Sequence, residues 1–130
     1  MSGNMIVPKG MEVQANEWKL APGHRVGDTL YCSGQLGIGA DGQLPDDLEA
    51  QITNAFEALG AVLAAAGASF ADVVEMSSFH VGLQSQLEAF AQVRDRYVGS
   101  PYPAQTAVGV AELGLSGALI EIKLVAQLGS

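Results

Sequence analysis

The stretch Ala118-Leu119-Ile120-Glu121-Ile122-Lys123-Leu124-Val125-Ala126 alternates in a way that only a pleated strand explains. Ala118, Ile120, Ile122, Leu124 and Ala126 point one way and are all apolar. Leu119, Glu121, Lys123 and Val125 point the other way. One face is therefore expected to meet helices, and the other solvent, a cleft or another subunit. Gly117 to Ala126 reads as the last strand of a layered domain.

Working back from that strand, Gln105 to Ala111 reads as a strand and residues 85–98 as a helix. In that helix Ser85 and Glu88 form a capping-box pattern, and Leu87, Phe90, Val93, Arg94 and Tyr97 fall on one side. Val73 to Leu83 reads as another strand. A longer helix is predicted from Asp46, with Asp46 or Asp47 as cap and Glu49 in its first turn. Its apolar stripe is Leu48, Ile52, Ala55, Phe56, Leu59 and Leu63, and Gly67 is its natural stop. Val26 to Ser33 suits a strand, and Gly37 to Gly42 a turn region. Residues 1–25 are mixed and loop-like, with short strands expected around Ile6 and Val13. The fold class is α+β: one domain over residues 1–130, a mixed, mostly antiparallel sheet covered on one face by two helices.

Composition narrows the function classes. In 130 residues, 48% are hydrophobic and 15% charged, with a net charge of −8. That is enough chain for one core, with apolar surface left over for an oligomer interface. The fixed cations are Lys9, Lys19, Arg25, Arg94, Arg96 and Lys123. They make no basic patch, which argues against nucleic-acid binding and ribonuclease activity. Leu113 to Val125 is interrupted by Glu121 and Lys123 and is too short to span a bilayer, so no membrane partner is expected. Cys32 is the lone cysteine, the N-terminus has no signal-like apolar run, and a cytoplasmic location fits both.

Four features could carry chemistry. Gly37-x-Gly39-x-x-Gly42 matches a dinucleotide fingerprint as a string, but Pro45 delays the helix that the mechanism requires, so it reads as a loop. His24, His80 and Cys32 lack metal-ligand spacing, and no metal or other cofactor is expected. Cys32 paired with either histidine is the nucleophilic reading; a small buried hydrophobe is the plainer one. Glu121, between two isoleucines, either pairs with Lys123 on the same face or positions water as a general base. Gln105 is either a satisfied strand amide or a hydrogen-bonding group in a pocket.

Several pieces taken in order resemble the RidA/YjgF family, historically labelled endoribonuclease L-PSP. They are Gly27-Asp28, Cys32-Ser33-Gly34-Gln35, Pro45 to Ala66, Ala71-Asp72-Val73-Val74, Tyr102-Pro103-Ala104-Gln105-Thr106-Ala107-Val108 and Ile120-Glu121-Ile122. The resemblance runs from about Leu20 to Leu128. It implies a chorismate-mutase-like fold and a homotrimer with three clefts between subunits. In deaminating members an arginine after Pro-Ala binds the substrate carboxylate, and a glutamate in the final strand places a water that attacks an imine carbon. Glu121 and Ser33 match that pattern. Gln105 takes the arginine position, Ala107 a position often held by cysteine, and Leu20 that of a common tyrosine, with Trp18 close by.

The resemblance therefore implies Glu121 as the catalytic residue, with Gln105, Ser33, Trp18 and Ala107 contacting a small-molecule substrate. A neutral amide cannot make the bidentate, charge-assisted contact of a guanidinium. The expectation is a deaminase-like hydrolase of an enamine, imine or related metabolite other than the usual 2-imino acid. The alternative is a non-catalytic small-molecule-binding or chaperone-like trimer. A replacement cation could come from His24, His80, Arg25 or Arg94 if one reaches the cleft.

Overall fold

The computed structural model describes residues 3–129. The longest helix, α2 (Leu48–Ala65), starts where Asp47 stands in extended backbone and its carboxylate accepts the Ala50 N–H at 2.9 Å. It ends at Gly67, whose φ of +77° lets Ala68 N–H return to Leu63 C=O at 2.8 Å and Gly67 N–H to Ala64 C=O at 3.0 Å. Ile52, Ala55, Phe56, Leu59, Val62 and Leu63 form its buried face.

Among the described residues six strands make one sheet: β1 (Asn4–Ile6), β2 (Gly23–Val26), β3 (Thr29–Leu36), β4 (Val73–His80), β5 (Ala104–Gly109) and β6 (Ile120–Gln127). Their spatial order is β1-β2-β3-β6-β4-β5. Only β4 and β5 run parallel, joined by a crossover through α3 (Leu83–Arg94); the other neighbours are antiparallel. Ile120, Ile122, Leu124 and Ala126 of β6 are buried together with Leu30, Met76 and the inner faces of α2 and α3. This is the expected α+β arrangement, with one face of the sheet covered by the two longer helices and the other open.

The structure corrects several local expectations. Around Val13 the chain forms a short helix, α1 (Glu12–Asn16), not a strand. Glu12 turns back to accept the Gly10 N–H at 2.9 Å, which closes a turn, and Val13 stays exposed. Helix α3 begins at Leu83, before Ser85, because Gly82 with φ +90° starts it. Ser85 Oγ donates to Gly82 C=O at 2.8 Å, so the Ser85–Glu88 capping box does not form. A capping box stands instead at Ser69 and Asp72, on the short 3-10 turn that leads into β4. Leu87 is 48% exposed, and Gln86, Phe90 and Val93 face inward. The segment Gly37 to Gly42, by contrast, is the turn expected of it, with Gly39 N–H on Gln43 C=O at 2.8 Å, well before α2.

Gln86 is inside because three groups need it. Its amide Nε2 donates to Val81 C=O at 2.8 Å and Leu119 C=O at 3.0 Å. Its Oε1 therefore accepts from His80 Nδ1 at 2.8 Å. His80 Nε2 then has no proton in the neutral ring and accepts from Ser78 Oγ at 2.7 Å. All three side chains are buried. Burial holds the His80 pKa below its ordinary value, against an opposing pull from the Gln86 hydrogen bond. An imidazole whose folded pKa is lowered adds stability that is complete above its unfolded value near 6.5, and that stability is lost as pH falls from there toward the folded value. At pH 7, nitrogen NMR of the native protein is expected to find His80 with its proton on Nδ1 and none on Nε2. A charged ring, or the other tautomer, would contradict the network.

Candidate functional site

The site begins with an irregularity in β3. Cys32 pairs with Leu124 and Gln35 with Ile122, so Ser33 and Gly34 together oppose Lys123. This is a β-bulge, one extra residue that bends the strand and re-aims side chains. Cys32 and Gln35 both turn inward at 4% exposure. Ser33 is fastened to the incoming chain: its hydroxyl donates to Ala21 C=O at 2.5 Å and its N–H to Pro22 C=O at 2.9 Å.

Glu121 lies over the other half of the bulge. Its carboxylate and Cγ occupy the space that a methyl group on Gly34 would fill. The residue is half-buried on the open face of the sheet, in register with Leu36 on one side and Phe79 on the other. Of the two readings of Glu121, the same-face pair with Lys123 does not form: among the described residues no ion pair joins them. A carboxylate without a cation partner, half-exposed and resting on bare backbone, has the chemistry to accept a proton from water or to orient it.

Farther along the sheet lies a concavity of about 400 Å³, lined by His24, Tyr31, Ser33, Glu75 and Lys123 among others but not by Glu121. Cys32 reaches it from below. Burial pushes the Cys32 thiol up to about 12, which keeps it protonated at neutral pH and removes it as a nucleophile. The Cys–His pair is further weakened because His80 is committed to Ser78 and Gln86 in the core.

The structure does not bring all the expected residues together in one chain. Gln105 is in register with Met76 and Ala107 with Ser78, both buried partners, so these two positions of β5 face the helix side. Glu121 faces the opposite side, two strands away. The Gln105 side chain is exposed. Trp18 is 53% exposed at the end of α1, where its N–H bonds Val13 C=O at 3.1 Å, and it reaches the bulge only through the chain that leads to Ala21.

Of the four replacement cations expected from sequence, Arg94 pairs with Asp95 at 3.1 Å and Arg25 with Asp28 at 3.6 Å. His80 is in the core, which leaves His24 on the open face. Lys123 was overlooked in that role, although its place two residues from Glu121 on one strand already put both on one face. Tyr31 and Glu75 had no signal in the sequence, since only strand register brings them there. Among the described residues no group of three His, Cys, Asp or Glu could hold a metal ion, and no helix is long and apolar enough to cross a membrane.

Comparison with known proteins places this geometry in context. The family model described as Endoribonuclease L-PSP matches residues 14–128. The RutC family protein YjgH of Escherichia coli K12 is 37% identical over 124 residues, covering 95% of this chain and 93% of that one. A 2-iminobutanoate/2-iminopropanoate deaminase of Dermatophagoides farinae is 34% identical over 107 residues, 78% of this chain and 79% of its own. The solved structure of YJGH superposes with a TM-score of 0.89 at 35% identity, covering 100% of this chain and 99% of the other.

Proposed function

The chain belongs to the endoribonuclease L-PSP family, the RidA/YjgF proteins, and from that premise we propose that it is a deaminase-like hydrolase of a small imine or enamine. Water adds to the imine carbon, the C–N bond breaks, and a carbonyl compound and ammonia leave. Glu121 is the catalytic residue, taking the water's proton or orienting it. The observation that carries this reading is the Glu121 carboxylate, in none of the ion pairs of the described residues and laid over Gly34 on the open face of the sheet. The imine deaminases among its relatives support the reaction class.

Gln105, Ala107, Trp18 and Ser33 are proposed to contact the substrate. Gln105 and Glu121 lie on opposite faces of the sheet, two strands apart and offset by three residues along it, so about 14 Å apart. A cleft that holds both needs a second copy of the chain to supply one of them, which supports the homotrimer with clefts between subunits. Reaction in the cytoplasm needs no cofactor, since water is the only co-reactant.

With a neutral amide at position 105, the substrate is one not held by a guanidinium, so 2-imino acids are poor substrates. Losing a desolvated charge pair costs about 2–5 kcal/mol. Ammonia release from oxidase-generated 2-imino acids is therefore expected to rise at least about tenfold in Gln105→Arg. Equal rates in wild type and Gln105→Arg would remove residue 105 from substrate choice. If neither protein turns over any imine, the second reading gains, a binding module that kept the fold and lost the chemistry; the amide at position 105 is the observation that favours it.

A further inference from the structure

We propose that Gln35 is a positioning residue for the site. Through Gln14 it clamps the 14–20 loop, and with it Trp18, to the same β-bulge on which Glu121 rests.

Within the chain, that loop has little else to hold it. Helix α1 has five residues, too few to be stable by itself. From Glu12 to Leu20 no residue is buried. Lys19 stands at φ +59°, the one non-glycine among the described residues in the left-handed region. That conformation is unfavourable for a residue with a side chain and persists only where the surroundings impose it. Hydrogen bonds impose it here. Gln14 closes the loop with its backbone, its C=O accepting the Leu20 N–H at 3.0 Å. With its side chain it meets Gln35 in a reciprocal amide pair. Gln14 Nε2 donates to Gln35 Oε1 at 2.9 Å, and Gln35 Nε2 donates to Gln14 Oε1 at 3.1 Å. Downstream, Ser33 holds Ala21 and Pro22. The segment is thus fastened at both ends, and both fastenings come from residues 33–35.

Gln35 is the fixed half of the pair. It is buried, in register with Ile122 and adjacent to Gly34, over which the Glu121 carboxylate lies. Its amide nitrogen also faces Ser33 C=O at 3.4 Å, which sets which way round the amide lies, since the reverse would put oxygen against oxygen. Leucine or methionine would serve packing at this buried position; the amide adds a directed hold on the loop. The result is one spacing between a substrate contact and the base. Without the clasp Glu121 keeps its floor on Gly34, while Trp18 is released. The catalytic consequence rests on the hydrolase reading above. A contact that holds substrate and transition state alike acts on KM and not on kcat.

The test compares full-length wild type, Gln35→Met, Gln14→Met, the double variant and Val93→Ala, a control that weakens the core on α3. Trp18 is the sole tryptophan, so time-resolved fluorescence anisotropy reports the loop directly. In each single methionine variant the fast, nanosecond component is expected to grow at least about twofold in amplitude. Kinetics use the 2-imino acid made from L-alanine by an amino-acid oxidase, in the wild-type and Gln105→Arg backgrounds. KM is expected to rise at least about fivefold, with kcat within about twofold. The double variant is expected to match the single ones, because the pair acts as a unit. Val93→Ala is expected to lower the thermal midpoint and leave both readouts unchanged. Gln14 is only half-buried, so Gln14→Met decides the matter even if Gln35→Met fails to fold. The proposal is overturned if Trp18 moves no more in Gln14→Met than in wild type, or if kcat falls in place of a rise in KM. It is also overturned if the two single effects add in the double variant, or if Val93→Ala frees Trp18 as much. If neither background hydrolyses the imine, the hydrolase reading falls and the effect on KM with it, and the anisotropy still decides whether Gln35 holds the loop.

Discussion

Replacing Glu121 with glutamine is expected to lower imine hydrolysis by about 10²–10⁴-fold, the range for a positioned acid–base group. The amide keeps the size of the side chain and can still lie over Gly34, but it cannot take a proton from water. Stability is expected to change little, because Glu121 is half-buried and in none of the ion pairs of the described residues, so no buried partner is left uncompensated. Rates of ammonia release with the best substrate, together with thermal midpoints, separate the two effects. A rate within about threefold of wild type would exclude Glu121 as the base.

The largest effect on stability is expected from Phe56→Ala. Phe56 is fully buried in α2. Its ring stacks on Tyr97 at 4.9 Å with an interplanar angle of 5°, and lies 6.1 Å from both Phe70 and Phe90. It therefore joins α2 to α3, to the segment after it, and to the turn before β4. Tyr97 is also fixed from its far end, where its hydroxyl donates to Glu57 at 2.8 Å, so it cannot easily move into the space. A cavity walled by rings held elsewhere relaxes poorly, and truncation is expected to cost about 3–5 kcal/mol. Against a typical total of about 5–15 kcal/mol this is a large fraction. Urea titration reads it directly, and a loss below about 1 kcal/mol would mean that the aromatic cluster collapses to fill the gap.

The order of elements was legible because each long element carries its own periodicity. The stripe on α2 and the alternation on β6 needed no knowledge of the rest of the chain. Helix α3 was harder: Gly82 and Ser85 are competing start signals three residues apart, and only the backbone at Gly82 decides between them. Gln86 reads as a surface residue, and its burial follows from carbonyls at Val81 and Leu119 that end two strands needing a donor. The site was only partly legible for a related reason. Alternation gives the relative facing of residues within a strand, so Glu121 and Lys123 could be placed together. It says nothing across strands, so the opposite facing of Gln105, and the convergence of Tyr31, Glu75 and His24, had to come from register.

The extra residue in β3 also constrains how this chain and its relatives can change in length. Cys32 and Gln35 are three apart yet both point inward, an odd step that an unbroken strand would send to opposite faces. Deleting either Ser33 or Gly34 would leave one residue opposite Lys123 and make the register regular, with Cys32 and Gln35 two apart and still facing inward. Gly37, which fits against the backbone of Gln51 only because it has no side chain, would keep its side of the sheet. A one-residue deletion in the regular part of β3 would instead turn over everything on one side of the cut, whereas the loop from 38 to 47 can vary one residue at a time. A descendant sequence that lacked the bulge could thus keep the helix contact and would have to rebuild only the floor beneath Glu121.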